Sequence, residues 1–175
     1  MRQLGTWQSE SGPSWLVEFK DIDEELRYLR KVVSRFRQSP QIRDLATRII
    51  QDAGAPMRDK KAQALAIGDW VQRNIYYVHE LPERFAQPPE TLRTKAGDCD
   101  DSTVLVCSML ESIGIPSALV CMKLDGAWKH IFPAAHLPTG TLLPLDTTMR
   151  YGVHAGVNPC TWAAERGKSC SLKVV

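Results

Sequence analysis

The chain has 175 residues, 43% of them hydrophobic and 24% charged, and a formal net charge of +2 at pH 7. At roughly 150 residues per domain this is one domain, long enough to bury about 70% of its unfolded surface. The balance excludes a disordered polar chain and gives no basic excess for nucleic acid; no stretch approaches the roughly 18 consecutive apolar residues of a membrane span. The opening MRQLGTWQSESGPSW lacks the apolar run of a secretory signal, so a cytoplasmic protein is expected.

Residues 1–19 carry no assignable period, and Trp7 and Trp15 read as packing anchors. From Asp21 to Arg37, the residues Ile22, Leu26, Leu29, Val33 and Phe36 recur in steps of four and three, which is one helical face. The basic Arg27, Arg30, Lys31, Arg35 and Arg37 follow the acidic Asp23, Glu24 and Glu25, the order a helix dipole favours. They read as a solvated face, not a nucleic-acid surface. After Ser39-Pro40 a second helix runs from Ile42 to Gly54. In a third, Ala62, Leu65, Ala66, Trp70 and Val71 share a face, and it gives way near Asn74 to the β-favouring Ile75, Tyr76, Tyr77 and Val78.

Glu80 to Lys95 holds three prolines and no apolar period, which predicts an irregular connection, and one this long is often functional. The next helix starts at Gly97-Asp98 and ends at Gly114. Val104, Leu105, Met109, Leu110 and Ile113 cover much of its circumference, so it is expected to be central and buried. Three strands follow, at 117–123, 129–135 and 141–146, separated by the turns Asp125-Gly126 and Pro138-Thr139-Gly140. Helices followed by an antiparallel meander make an α+β fold. Met149 to Val175 is left unassigned.

The five cysteines are odd in number and include no C-x-x-C pair, which argues against a disulfide framework and against structural zinc. Cys99 and Cys107 lie about 12 Å apart along a helix, too far to share one ion, so neither metal nor cofactor is expected. Cys107 and Cys121 read as small buried hydrophobes. Cys160 and Cys170 are undetermined and can pair with each other in an oxidising environment.

Cys99 stands apart because it falls in the first turn of the central helix. There the unpaired N–H groups and the positive end of the dipole lower a thiol pKa. Asp98, Asp100 and Asp101 push the other way, so a nearby imidazolium is needed to make the thiol reactive. The alternative is that the aspartates cap the helix and Cys99 merely packs. His130 is the candidate base, and Asp146 lies across a hairpin from it, where cross-strand side chains come about 5 Å apart. Thiolate, base and an acceptor that fixes the imidazole tautomer are the parts of a Cys/His/Asp triad. His136, beside Pro138 at a turn, is the rival base; His79 and His154 sit in loops.

Taken together, Ile75-Tyr76-Tyr77-Val78, Gln87-Pro88-Pro89-Glu90-Thr91-Leu92, Gly97-Asp98-Cys99-Asp100-Asp101, Gly114-Ile115-Pro116, His130-Ile131 and Leu145-Asp146-Thr147 resemble, in order and spacing, the transglutaminase-like superfamily of bacterial and phage proteins. The resemblance covers roughly residues 57–149. It implies a papain-like fold with Cys99 as nucleophile, His130 as general base and acid, and Asp146 as its orienting acceptor. The chemistry it implies is cleavage or transfer of a peptide or protein amide through a thioester. The Gln that papain-like proteases place ahead of the cysteine is missing from Thr94-Lys95-Ala96-Gly97-Asp98, so Gln87 and Tyr77 are the candidates to complete an oxyanion site, against plain packing or loop bracing. No D-x-D-x-D-G loop supports calcium activation. The expected organisation is a single domain over 1–175, with an N-terminal helical extension at 1–56, a catalytic core at 57–149 and a tail at 150–175. The expected partner is a peptide or protein substrate. The alternative is a phage virion or assembly component that uses this fold as a scaffold among partner chains.

Overall fold

A computed structural model of the chain describes residues 2–9, 12–79, 85–148 and 155–175. The N-terminal segment opens with a hairpin of β1 (Arg2–Ser9) and β2 (Gly12–Glu18) where the sequence suggested no element. The packing expected of Trp7 and Trp15 concerns side chains outside the described set, as does all of 149–154.

Local signals account for most of the helices that follow. The Asp21 carboxylate accepts the Glu24 N–H and opens α1 (Ile22–Phe36). Pro40 stands in the first turn of α2 (Pro40–Asp52), where a missing N–H costs nothing. Asp59 caps α3 (Lys60–Asn74) through the Ala62 N–H. The connection expected to be irregular contains a further helix, α4 (Pro88–Thr94). The prolines that read as breakers occupy its first two positions, where their fixed φ suits a helix start. The aromatic before them is the loop's anchor: Phe85 is buried edge-on against Tyr28 of α1, with ring centroids 5.3 Å apart.

The central helix α5 (Cys99–Ser112) is enclosed on all sides, as its apolar circumference requires. Leu29 and Val33 of α1 pack with its Val104 and Cys107, while Ile49 of α2 and Ile67 and Val71 of α3 pack with Leu105 and Met109. Two of the basic residues read as a solvated face also pair with α5. Arg30 reaches Glu111 of α5 at 2.9 Å and Arg37 lies 3.5 Å from its other oxygen; the Glu111 side chain is only 7% exposed. A buried carboxylate must be paired, and α1 supplies the partners.

Beyond α5 lie β5 (Ser117–Leu124), β6 (Ala127–His136) and β7 (Leu142–Pro144), followed by α6 (Pro159–Ala164) and β8 (Cys170–Val174). The sheet order is β7-β6-β5-β8, all antiparallel, so the unassigned tail supplies an edge strand. The β5–β6 turn has both central residues at positive φ, Asp125 at 48° and Gly126 at 85°, as a two-residue hairpin loop matched to strand twist requires. Leu119, Cys121 and Ile131 face α1 and α5. Val120, Met122, Phe132 and Ala134 form a second layer with Cys160 and Cys170, which are joined in a disulfide between α6 and β8. Cys107 and Cys121 are core residues, each thiol pushed up to about 12 by burial. Among the described residues no helix is long and apolar enough to cross a membrane.

Candidate active site

Three short stretches converge on the N-terminus of α5. The first is the helix start itself. Asp98 is the N-cap, and a reciprocal capping box joins its carboxylate to the Asp101 N–H and the Asp101 carboxylate to the Asp98 N–H. The other Asp101 oxygen accepts the buried Ala86 N–H at 2.7 Å, which ties the long loop to the helix. Gly97 is required by this crowding. A Cβ there would sit 2.8 Å from Asp101 Cβ, 3.0 Å from Asp101 Oδ2 and 3.3 Å from Thr91 Cγ2.

The second stretch is the pair of short parallel strands β3 (Tyr76–Tyr77) and β4 (Ala96–Gly97), in which Tyr77 lies opposite Gly97. Tyr77 is thereby held beside the residues leading to Cys99. Gln87, the N-cap position of α4, is half-buried and follows the Ala86 anchor directly. Its side chain does not cap that helix, while its carbonyl accepts the Glu90 and Thr91 N–H groups. Both residues singled out beside the cysteine motif are thus tethered to the start of α5.

The third stretch is β6. Met122 pairs with His130 while Lys123 pairs with Trp128, so Lys129 is the extra residue of a β-bulge immediately before His130. Because strand side chains alternate with period two, one inserted residue decides which face each following side chain takes. Ile131 goes to the α5 side, and its backbone meets the helix there. Its carbonyl accepts from Thr103 Oγ1 at 3.3 Å, and its N–H lowers the Cys99 thiol pKa. His130 stacks on Phe132 with ring centroids 6.0 Å apart.

His130 Nε2 lies 2.7 Å from Asp146 Oδ2, with side-chain exposures of 14% and 1%. The carboxylate stands two residues beyond β7, but Leu145 N–H still donates to Pro133 O at 2.8 Å and carries the strand's course to it. Sequence reasoning missed Thr148. Its N–H and its hydroxyl both donate to Asp146 Oδ1, at 3.0 and 2.9 Å, and the hydroxyl oxygen is 3.4 Å from His130 Nε2. An Asp followed two residues later by Thr is an Asx-turn pattern, and that signal is readable in the sequence. His136 is exposed at the far end of β6 and His79 is exposed in a loop, so neither joins the group; His154 lies outside the described residues.

The electrostatics set a clear requirement. The Cys99 thiol is pushed far above its ordinary range by burial first, then by Asp100 and Asp98; the N–H groups of Ile131 and Cys99 oppose this only partly. Asp100 is itself held well above the usual carboxylate range by burial, by its hydrogen bond to Asp98, and by the charges of Asp101, Asp98 and Glu25. The Asp98, Cys99 and Asp100 ligand atoms lie within 4.8 Å of one another, and both carboxylates accept the Asp101 N–H, at 3.5 and 3.0 Å. An Nε2–H donated to Asp146 leaves the neutral ring's lone pair on Nδ1, which can accept a proton.

The sequence model of the transglutaminase-like superfamily matches residues 43–160, beyond the 57–149 of the motif resemblance at both ends. No curated protein sequence matches the chain. The structure of a candidate cysteine protease from Cytophaga hutchinsonii is 19% identical with a TM-score of 0.53, covering 94% of this chain and 61% of its own. A candidate protease from Parabacteroides distasonis is also 19% identical, with a TM-score of 0.56, covering 79% of this chain and 29% of its own. At these identities the likeness is one of fold, and the chain spans less than two thirds of either relative.

Proposed function

This chain belongs to the transglutaminase-like superfamily, and on that footing we propose that it is a cysteine peptidase-type enzyme acting on a peptide or protein amide. The observation that carries the reading is the 2.7 Å bond from His130 to Asp146, made one residue away from Ile131, whose carbonyl accepts from Thr103 in the first turns of the Cys99 helix. A thiol raised by burial and aspartates does not ionise alone at neutral pH. Transfer of its proton to His130 Nδ1 yields a thiolate and an imidazolium, with Asp146 holding the Nε2–H.

The thiolate then adds to the amide carbonyl carbon. As the C–N bond breaks, the imidazolium returns its proton to the leaving amine, leaving a thioester on Cys99. Water, deprotonated by His130, releases the acid and restores the thiol. The Cys99 N–H is the first donor to the oxyanion, and the Tyr77 hydroxyl or the Gln87 amide is the second. The competing outcome is attack by an amine, which makes the reaction a transfer.

Iodoacetamide should modify Cys99 at neutral pH in the native protein and do so far more slowly in His130→Ala. Equal labelling of both overturns the reading. Incubation with a glutamine-containing peptide and a labelled amine separates water from amine as acceptor. Absence of turnover across a broad peptide library, with Cys99 still activated, returns the scaffold role in a virion or assembly.

A further inference from the structure

Resting on the reading that Cys99, His130 and Asp146 act together, we infer that Thr148 is a positioning residue that selects which nitrogen of His130 carries its proton. A carboxylate fixes the tautomer of an imidazole only while one of its oxygens stays on the ring nitrogen, and one held by nothing else can turn both oxygens away. Asp146 cannot do so. Its Oδ1 is committed to two donors from Thr148, the N–H at 3.0 Å and the hydroxyl at 2.9 Å, and only Oδ2 remains for the ring. Asp146 is also 2% exposed, so water does not compete for either oxygen.

The Thr148 hydroxyl acts a second time. Its hydrogen points at Asp146 Oδ1, so the side of the oxygen that faces His130, 3.4 Å from Nε2, is a lone pair. Two acceptors therefore face Nε2, and a ring with its lone pair there would be repelled by both. The proton is held on Nε2, the lone pair on Nδ1, and the imidazolium formed when Cys99 loses its proton keeps both contacts. The backbone N–H of Thr148 is available from any residue in this turn. The hydroxyl is the part specific to Thr or Ser.

The test uses histidine labelled with nitrogen-15 and the variants Thr148→Val, Thr148→Ala and Thr148→Ser. In the native protein the neutral His130 ring is expected to show a protonated Nε2 and a bare Nδ1; the opposite assignment overturns the inference whatever the variants do. Thr148→Val keeps the side-chain shape and loses the hydroxyl. It is expected to mix the two tautomers and to slow iodoacetamide alkylation of Cys99 at neutral pH by about tenfold, the scale of one hydrogen bond to a charged group. Thr148→Ser is expected within about twofold of the native rate, since it restores the same hydroxyl. If Thr148→Val does not fold, as judged by circular dichroism, Thr148→Ala serves as the second variant without a hydroxyl. Native tautomer and native rate in either one overturn the inference. His130→Ala, run in parallel, separates the two levels. If it alkylates as the native protein does, the triad reading fails; if it is slow while Thr148→Val is not, only the role of Thr148 fails.

Discussion

Replacing Gly97 by Ala adds one methyl group at the most crowded point of the site. Gly97 lies outside the positive-φ positions, so the backbone itself admits alanine and the whole effect comes from contact. The new Cβ would stand 2.8 Å from Asp101 Cβ, a separation real structures essentially never show, and 3.0 Å from Asp101 Oδ2. Asp101 cannot simply swing away, because one oxygen belongs to the capping box and the other holds the Ala86 N–H. Overpacking of this kind costs about 1–3 kcal/mol, and a weakened cap adds about 1 kcal/mol. A loss of about 2–4 kcal/mol is expected in urea unfolding followed by tryptophan fluorescence, a midpoint lower by about 1–2 M at an ordinary m-value. Because the same carboxylate tethers Gln87 through Ala86, Cys99 alkylation should slow as well. Gly97→Ala with stability within about 0.5 kcal/mol of the native protein, the usual range for an uncommitted surface site, would refute the reasoning.

Asp100→Asn tests the buried carboxyl. The folded-state pKa of Asp100 is raised, so its contribution to stability is fully present below its unfolded pKa of about 3.9 and is lost as pH rises through the folded value. Asparagine does not titrate, so urea unfolding should show the variant gaining on the native protein between pH 4 and pH 8; a constant difference across that range contradicts the assignment. Reduction of Cys160–Cys170 opens a loop with a sequence separation of 10, for which the chain-entropy model gives about 2.7 kcal/mol. Cys160→Ala with Cys170→Ala should lower the unfolding free energy by that order, and an unchanged midpoint rejects it. Tyr77→Phe and Gln87→Ala discriminate the second oxyanion donor. Whichever residue supplies it should lose about 10²–10³-fold in kcat with little change in KM, and equal, small effects from both would assign neither.

The head of α5 was legible because its signals are local. A cysteine after Gly-Asp at the head of an all-round apolar helix can be read from the chain alone, because helix caps and dipoles act within one turn. The hairpin of β5 and β6 was equally legible, since Asp-Gly supplies the two positive φ values its turn needs. The helix α4 was not, because the same prolines that end helices also begin them, and only the contacts of Phe85 and Ala86 select which. Nor was β8 legible. Its pairing with β5 is long-range, and a five-residue strand with three of its residues exposed carries little pattern of its own.

By itself the sequence determined the α+β class and the order of the central elements. Periodicity, capping and turn propensity are properties of neighbours along the chain. Tertiary structure alone decided the rest. It turned Arg30 and Arg37 onto a buried Glu111, inserted Lys129 as a bulge that aims His130, and closed Asp146 between His130 and Thr148. Each of these is a contact between segments that no local rule connects, enforced because a charge or carboxylate taken from water must find its partners in the fold.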